Sequence, residues 1–247
     1  IMGFHHQPNL VNDGLVLALD AADDTSFSSG STTWADLSPN SNDASLFAGT
    51  MGTVSGSNTI TFDGNNDSAS ISNHSSLNFG ASTNFTLECI VKLKTADDND
   101  FILGKENGHF GQGYSMRIEE SGTSDNWGVQ LHVEQADGTQ YRFISPQVIG
   151  QTYTHIVASF DRSKAFARVH INGQGLDGTT LNSNLSAIGD LDVSQDFTIG
   201  ADSRGLGVPL SDGQIDIVRV YNKALNDNQA LNNYHVLKSR FDLGTGT

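Results

Sequence analysis

The chain has 247 residues, including 26 Gly and only 4 Pro, and its 28 acidic and 13 basic side chains give a formal net charge of −15. This charge disfavours nucleic acids and anionic membranes as partners, since both are polyanions. The sequence predicts no signal peptide and no membrane insertion, because it contains no sufficiently long apolar run. The length fits one large all-β domain, and the glycines indicate many tight turns.

The predicted elements are short strands separated by turns. Residues 1–12 are expected to form an irregular N-terminal arm, and residues 13–247 one domain. The first strand is DGLVLALD (13–20), in which Leu residues alternate with other residues. Further strands are predicted at 58–63, 68–72, 84–94, 101–105, 114–119, 127–134, 139–144, 153–160, 165–171, 196–200 and 214–221. About a dozen such strands favour a two-sheet antiparallel β-sandwich, or jelly roll.

One short C-terminal helix completes the predicted fold. It spans 226–238, with Asn226 as its cap and Gln229 as the partner in a capping box. Leu231, Tyr234 and either Val236 or Leu237 would dock it over a sheet edge. The single cysteine, Cys89, lies in a strictly alternating strand and is expected to be buried and unreactive.

The stretch DGQIDIVRVYN (212–222) places an acid inside an apolar strand. Period-two alternation would put Ile215 and Ile217 on one face, and Asp216, Val218 and Val220 on the other. A buried carboxylate is costly unless it is paired or bound to a metal. The alternatives are a hydrated Asp at a strand edge and a ligand for a structural cation.

Eight segments of the chain form an ordered series of motifs. They are DGLVLALDA (13–21), TTWADLSPNSNDASL (32–46), ITFDGNNDSASIS (60–72), NFTLECIVKLK (84–94), YTHIVASFD (153–161), RVHINGQ (168–174), FTIGAD (197–202) and GQIDIVRVYNKALNDNQ (213–229). Taken together and in this order, they resemble the laminin-G-like, concanavalin A-type jelly-roll family. Departures from the family pattern are Pro39 and Ser41 in place of glycines, Tyr153 in place of Trp, and Ile217 in place of a second Asp. The resemblance implies the fold over nearly the whole chain, and it says little about activity.

The same resemblance implies a structural calcium ion beside the last strand. Hard cations prefer carboxylate and carbonyl oxygens. The expected ligands are Asp20 or Asp36 from the first loops and Asp216 from the last strand, with carbonyls from Asp63 or Gly64. The alternative is that these residues only cap turns. If calcium is bound, EDTA should lower the melting temperature and added calcium should restore it.

Lectins of this fold bind glycans through an aromatic platform with polar neighbours. The candidate glycan-binding residues are Tyr114, Arg117, Asp125, Asn126, Trp127, His132 and Tyr141. The alternative for the aromatic residues is packing in the core or at an edge. No carboxylate spacing of the retaining-glycosidase type occurs, and Gln130-Leu131-His132 is only faintly similar to one alginate-lyase motif, so we expect no catalysis.

A narrower resemblance involves one segment near each end of the chain, NLVNDGLVLALDA (9–21) and NNYHVLKSRF (232–241). These segments resemble domains in structural proteins of tailed phages, especially those of marine cyanobacteria. The resemblance implies a non-catalytic, carbohydrate-binding-like adhesion or decoration module on a virion surface, in symmetric copies. Its partners would be glycans or virion and cell-surface proteins. The alternatives are a free or enzyme-appended extracellular lectin and, more distantly, a polysaccharide-degrading enzyme.

Overall fold

A computed structural model describes residues 9–47, 53–54, 57–119, 127–146, 149–181, 185–203 and 209–243. The strands within these ranges are β1 (Leu15–Asp20), β2 (Thr33–Trp34), β3 (Ala44–Phe47), β4 (Thr53–Val54), β5 (Ser57–Asn58), β6 (Thr61–Phe62), β7 (Ser68–Ile71), β8 (Phe85–Thr95), β9 (Phe101–Glu106), β10 (Gly113–Glu119), β11 (Gly128–Glu134), β12 (Gln140–Ile144), β13 (Thr154–Asp161), β14 (Phe166–Ile171), β15 (Gln174–Leu176), β16 (Thr179–Leu181), β17 (Phe197–Ile199) and β18 (Asp212–Tyr221). Short 3₁₀ helices occupy Ser75–Leu77, Arg162–Lys164 and Leu185–Ala187. The α-helix α1 spans Asp227–Phe241.

The strands form two large antiparallel sheets and one small hairpin. The seven-stranded sheet has the order β1-β18-β8-β13-β14-β15, with β6 also paired to β18. The nine-stranded sheet has the order β16-β12-β11-β10-β9-β17-β7-β3-β2, and β4 pairs with β5. The predicted two-sheet sandwich with a C-terminal helix is therefore confirmed.

The core lies between the inner faces of the two sheets. On β10, Tyr114, Met116 and Ile118 are buried there, so the intervening side chains of this strand face outward. The Cys89 Sγ lies 3.8 Å from the Met116 Sδ, and burial raises the pKa of this thiol well above its usual value. A buried thiol that resists ionisation is unreactive, as the alternation predicted.

Helix α1 begins with the predicted capping box of Asn226 and Gln229. It covers the outer face of the seven-stranded sheet, where Tyr234 and Leu237 cluster with Ile90 and Ile217. The helix also contacts β15, the strand at one edge of this sheet, so it lies over the predicted sheet edge as well as over the central strands. Leu231 is 39% exposed and lies at the margin of the docking surface, with its Cδ1 next to Gly173.

A β-bulge divides the last strand at Asp216. Ile215 pairs with Val91 and Ile217 with the adjacent Ile90, so the register shifts by one residue. Ile215 consequently faces the core, whereas Ile217 lies under α1. The prediction that the two isoleucines share a face is wrong, because an extra residue in one strand reverses the alternation.

Part of the N-terminal arm is bound to α1. The Val11 N–H donates to Asn233 Oδ1 at 3.0 Å, and the Asn232 side chain donates to the Asn9 carbonyl at 2.6 Å. Residues 1–8 lie outside the described part of the chain. Of the helices in the described part, none has the length and apolar character needed to cross a membrane.

Candidate functional site

The outer face of the nine-stranded sheet carries charged and amide side chains on its middle strands. Because alternate residues point to the same face, neighbouring strands bring these side chains side by side. In the strand register, Arg117 lies opposite Gln130, and His132 lies opposite Arg142. With Glu106 of β9 they form the polar cluster of this face: Glu106, Arg117, Gln130, His132 and Arg142.

A buried ion pair is at the centre of the polar cluster. Arg117 Nη2 donates to Glu106 Oε1, and both side chains are fully buried. Arg117 also donates to Ser115 Oγ and to the Asn99 carbonyl, each at 3.1 Å. Burial lowers the pKa of Arg117, and the charge of Glu106 opposes this effect. Burying such a pair contributes little net stability, because both charged groups lose their hydration on folding.

Several polar atoms of the cluster have no hydrogen-bond partner among the described residues. They are Glu106 Oε2, Gln130 Nε2 and both ring nitrogens of His132. The nearest carboxylate oxygen to His132 Nδ1 is Glu106 Oε2, at 3.8 Å. Buried polar groups are nearly always hydrogen-bonded, so several in one place indicate capacity for hydroxyl or amide partners from outside the chain.

Phe110, in the loop between β9 and β10, covers the polar cluster. Its ring centroid lies 4.4 Å from the Arg117 guanidinium carbon and 4.1 Å from that of Arg142. The same ring meets His132 edge-on at 5.0 Å. Phe110 has a φ of 51°, a left-handed conformation that is strained for a bulky residue. The loop therefore holds an aromatic ring over the charged groups.

An open groove lies beside the polar cluster on the same face. Phe47, at the end of β3, is 52% exposed although its neighbour Leu46 is buried in the core. The Ser70 hydroxyl donates to Asp196 at 2.9 Å beside it. The cavity has a volume of about 360 Å³. This Phe47 groove is lined by Phe47, Asn66, Ser68, Ser70, Gln195, Asp196, Thr198, Asp202 and Ser203.

The structure brings together two of the predicted glycan-binding residues, Arg117 and His132. Tyr114, by contrast, is 1% exposed in the core, where its hydroxyl donates to the Leu77 carbonyl at 2.8 Å. Trp127 and Tyr141 are also core residues, at 3% and 6% exposure. These three rings face inward because they alternate with the outward polar residues. Asp125 and Asn126 lie outside the described residues.

Two of the predicted calcium ligands already have partners in the protein. Both oxygens of Asp20 accept hydrogen bonds from Arg240, one of them at 2.6 Å. Asp216 accepts from the Thr59 hydroxyl and, at 3.4 Å, from the Ile60 N–H. Burial raises the pKa of Asp216, and the nearby charge of Asp20 adds to this effect.

The other predicted ligands serve turns. Asp36 accepts from the N–H groups of Ala18, Ser38 and Asn42 at 2.8–2.9 Å. Asp63 accepts from the Asn65 N–H at 2.9 Å, and Gly64 has a φ of 81°. In the described ranges, no three His, Cys, Asp or Glu side chains gather in a metal-binding arrangement. As they are arranged, these residues do not fit a calcium site.

The sequence interpretation missed Phe47, Phe110 and Glu106. Alternation alone could have identified Phe47, because an aromatic residue follows the inward Leu46 and must point outward. No pattern in the sequence places Phe110 over Arg117, because the contact depends on the conformation of the loop.

Comparison with known proteins agrees with this architecture. The profile of the "Concanavalin A-like lectin/glucanases superfamily" matches residues 63–230, and the chain belongs to this superfamily. No curated protein matches the sequence. Similarity to solved structures, at 12–19% identity, shows the shared fold alone.

Three solved structures illustrate the similarity. The binding domain of botulinum neurotoxin serotype G is 12% identical with a TM-score of 0.67, over 91% of this chain and 51% of that one. Domain 4 of the arabinanase AbnA from Geobacillus stearothermophilus, in complex with arabinotriose, is 14% identical with a TM-score of 0.60, over 89% and 98%. Trypanosoma rangeli sialidase in complex with the inhibitor DANA is 19% identical with a TM-score of 0.61, over 91% and 33%. The chain thus spans about half of the neurotoxin domain and a third of the sialidase.

Proposed function

We propose that this protein is a non-catalytic carbohydrate-binding module, with its glycan site on the outer face of the nine-stranded sheet. The observation that carries the proposal is the exposed ring of Phe47 in a groove of hydroxyl, amide and carboxylate groups. Sugars present C–H bonds on one face and hydroxyls at their edges. An aromatic platform with polar neighbours is complementary to both.

The polar cluster would extend this site. Asp202 lines the Phe47 groove and lies 4.0 Å from His109, which belongs to the same loop as Phe110. A movement of that loop would open Glu106, Gln130 and His132 to sugar hydroxyls. The unpartnered atoms of these three side chains are the support for this extension.

Phe47→Ala tests the proposal directly. We expect at least tenfold weaker binding, since loss of an aromatic contact of about 1.4 kcal/mol corresponds to this factor. The measurement is calorimetric titration with α-1,5-arabinotriose, β-1,3-glucan and β-1,4-glucan trisaccharides, chosen after a glycan array. The matched control is Leu37→Ala, which removes another exposed apolar side chain, 45% exposed. Equal affinities in Phe47→Ala and the wild type would contradict the assignment of the groove.

For the biological setting, we propose an adhesion or decoration module on the surface of a phage-type particle. The support is the resemblance of residues 9–21 and 232–241 to segments of phage structural proteins. Imaging of such particles should reveal the domain in symmetric copies against capsid or tail subunits. The second candidate is an extracellular lectin appended to an enzyme. The likeness to domain 4 of an arabinanase favours that candidate.

Catalysis is the alternative that the polar cluster itself suggests. Gln130-Leu131-His132 is faintly similar to one alginate-lyase motif, and Gln130 lies opposite Arg117 in the strand register. Assays for unsaturated or reducing ends with alginate, laminarin and agar should remain negative. Release of such ends would replace the binding role with a degrading one.

A structural calcium stays a prediction of the sequence. It would require Arg240 to leave Asp20 so that this carboxylate could join Asp216. The variant Asp216→Asn distinguishes between the two possibilities, a carboxylate that binds calcium and a buried carboxyl group without a metal ion.

A further inference from the structure

A second groove lies on the opposite side of the molecule, on the outer face of the seven-stranded sheet. Strand β14 directs Ala167 and Val169 into the core, so Phe166, Arg168 and His170 point outward. The first turn of α1 forms the facing wall. The cavity between them has a volume of about 500 Å³, a size typical of small-ligand sites. It is lined by Ser159, Asp161, Lys164, Phe166, Arg168, His170, Ala224, Leu225, Asn226, Asp227 and Asn228.

The polar side chains of this Phe166 groove are held in place by one another. His170 Nε2 and Asp227 Oδ1 are 2.9 Å apart, and Arg168 Nε lies 3.4 Å from the same oxygen. A Cβ at Gly175 would lie 2.2 Å from Arg168 Nε, so the guanidinium occupies space next to β15 that a larger residue at 175 would take. The Asp227 side chain is 65% exposed, so its carboxylate is accessible to a ligand in the groove.

Phe166 is an exposed aromatic ring beside these groups. It is 45% exposed, and the Arg168 guanidinium carbon lies 6.0 Å from its centroid. A second cavity of about 410 Å³ also includes Phe166 and Arg168, and Asp177 and Thr180 belong to its lining. Phe166 thus stands between two adjacent depressions, which suits a linear ligand that crosses the ring.

The charges of the groove are balanced within the protein. Lys164 pairs with Asp161 at 3.1 Å, and Arg168 and His170 share Asp227. The groove therefore has no excess positive charge that would attract a polyanionic ligand, and the net charge of −15 of the whole chain would repel such a ligand. A ligand with many hydroxyls and no charge matches this lining, because Asp, Asn and Arg can each exchange hydrogen bonds with it.

We propose that the Phe166 groove is a second oligosaccharide site, which takes a neutral linear glycan stacked on Phe166. This inference rests on the proposed function in one respect: the chain is bivalent only if the Phe47 groove also binds a glycan. The two grooves lie on the outer faces of opposite sheets. One molecule could therefore bridge two glycan chains, and the gain would be avidity for a multivalent surface.

The experiment uses the full chain and the variants Phe47→Ala, Phe166→Ala and Phe166→Leu, with Leu37→Ala as the control. Each is titrated calorimetrically with the three neutral trisaccharides named above, and its melting temperature is recorded as a check of folding. The wild type should bind two equivalents of at least one trisaccharide. Phe166→Ala and Phe166→Leu should each lose one equivalent, because leucine is apolar but offers no aromatic face. Leu37→Ala should keep both.

The outcomes separate the two sites. If Phe166→Ala binds as the wild type does while Phe47→Ala loses all binding, the second site is overturned and the proposed function stands. If Phe166→Ala loses all binding and Phe47→Ala loses none, the Phe166 groove stands and the first assignment fails. If none of the trisaccharides binds the wild type, both fail. Bivalence is read out independently as cross-linking of beads coated with the bound glycan, which either single Phe→Ala variant should abolish.

Discussion

Asp216 is a buried carboxyl group held at a bulge by neutral hydrogen-bond donors. It is 2% exposed, and the Thr59 hydroxyl and the Ile60 N–H approach the same carboxylate oxygen. Burial raises its pKa above the ordinary value of 3.8, with the charge of Asp20 acting in the same direction. A carboxyl group whose pKa is higher in the folded state than in the unfolded state stabilises the fold at low pH. This contribution is lost as the pH rises through the folded-state pKa. At neutral pH, the ionised Asp216 therefore costs stability.

Replacement of Asp216 by Asn should raise the melting temperature at pH 7, because Asn Oδ1 can still accept from Thr59 without a buried charge. Each kcal/mol gained corresponds to about 2–4 °C for a chain of this size. The measurement is thermal unfolding with EDTA and with added calcium. A bound calcium would reverse the result: EDTA would destabilise the wild type, and Asp216→Asn would melt lower in calcium.

The sequence marked Asp216 as unusual but could not supply its partner. Thr59 lies 157 positions away, and the contact exists only because residues 59–60 cross the bulge. The same limit applies to Arg117. Alternation predicts that it points outward, whereas its pairing with Glu106 and its cover by Phe110 depend on two strands and a loop. Residue types and faces were thus predictable, and long-range pairings were not.

At the scale of elements, the helix shows how a stripe of apolar residues divides into buried and partly exposed positions. Leu237 is 2% exposed, in a cluster with Ile90 and Ile217, whereas Leu231 is 39% exposed. Both belong to the stripe read from the sequence. Which of them is buried depends on the strand beneath the helix. The bulge that turns Ile217 toward α1 interrupts the period-two alternation of that strand, so the sequence pattern does not reveal this contact.

Leu237→Ala should destabilise the protein by about 2–5 kcal/mol, the usual cost of removing a large buried side chain. Leu231→Ala is the matched control, with the same residue type in the same helix, and should destabilise the protein less than Leu237→Ala does, because Leu231 is 39% exposed and lies next to Gly173 at the margin of the contact. Denaturant unfolding measures both. Similar losses in the two variants would mean that α1 docks through a different face.

At the scale of the whole molecule, one buried carboxylate joins the central strands to the helix. Glu88 on β8 bonds to His155 at 2.8 Å, to the Tyr221 hydroxyl at 2.9 Å and to the Asn233 side chain at 2.9 Å. Arg219 lies 3.3 Å from it. Asn233 also accepts the Val11 N–H, so three strands, the helix and the N-terminal segment share one network. The sequence interpretation did not single out Glu88, because alternation marks it as outward and hence exposed.

This network makes a prediction about acid stability. Burial alone would raise the pKa of Glu88, but Arg219, His155 and Tyr221 together lower it from 4.5 to about 2. A lowered pKa contributes stability that is fully present above about pH 4.5 and is lost as the pH falls toward 2. Glu88→Gln should therefore cost about 3 kcal/mol at pH 7, where it leaves Arg219 without its buried counter-charge.

The difference in melting temperature between wild type and Glu88→Gln should be constant from about pH 5 to 8 and should narrow below about pH 4.5, because only the wild type loses the ionised form. Tyr221→Phe is the control: it removes one hydrogen bond to Glu88 but keeps the carboxylate. It should lose about 1–2 kcal/mol at pH 7. Because its carboxylate remains, its stability should still fall between about pH 4.5 and pH 2, as that of the wild type does. A wild-type advantage over Glu88→Gln that persists unchanged to pH 3 would show that the charge of Glu88 is not what holds the strands and the helix together.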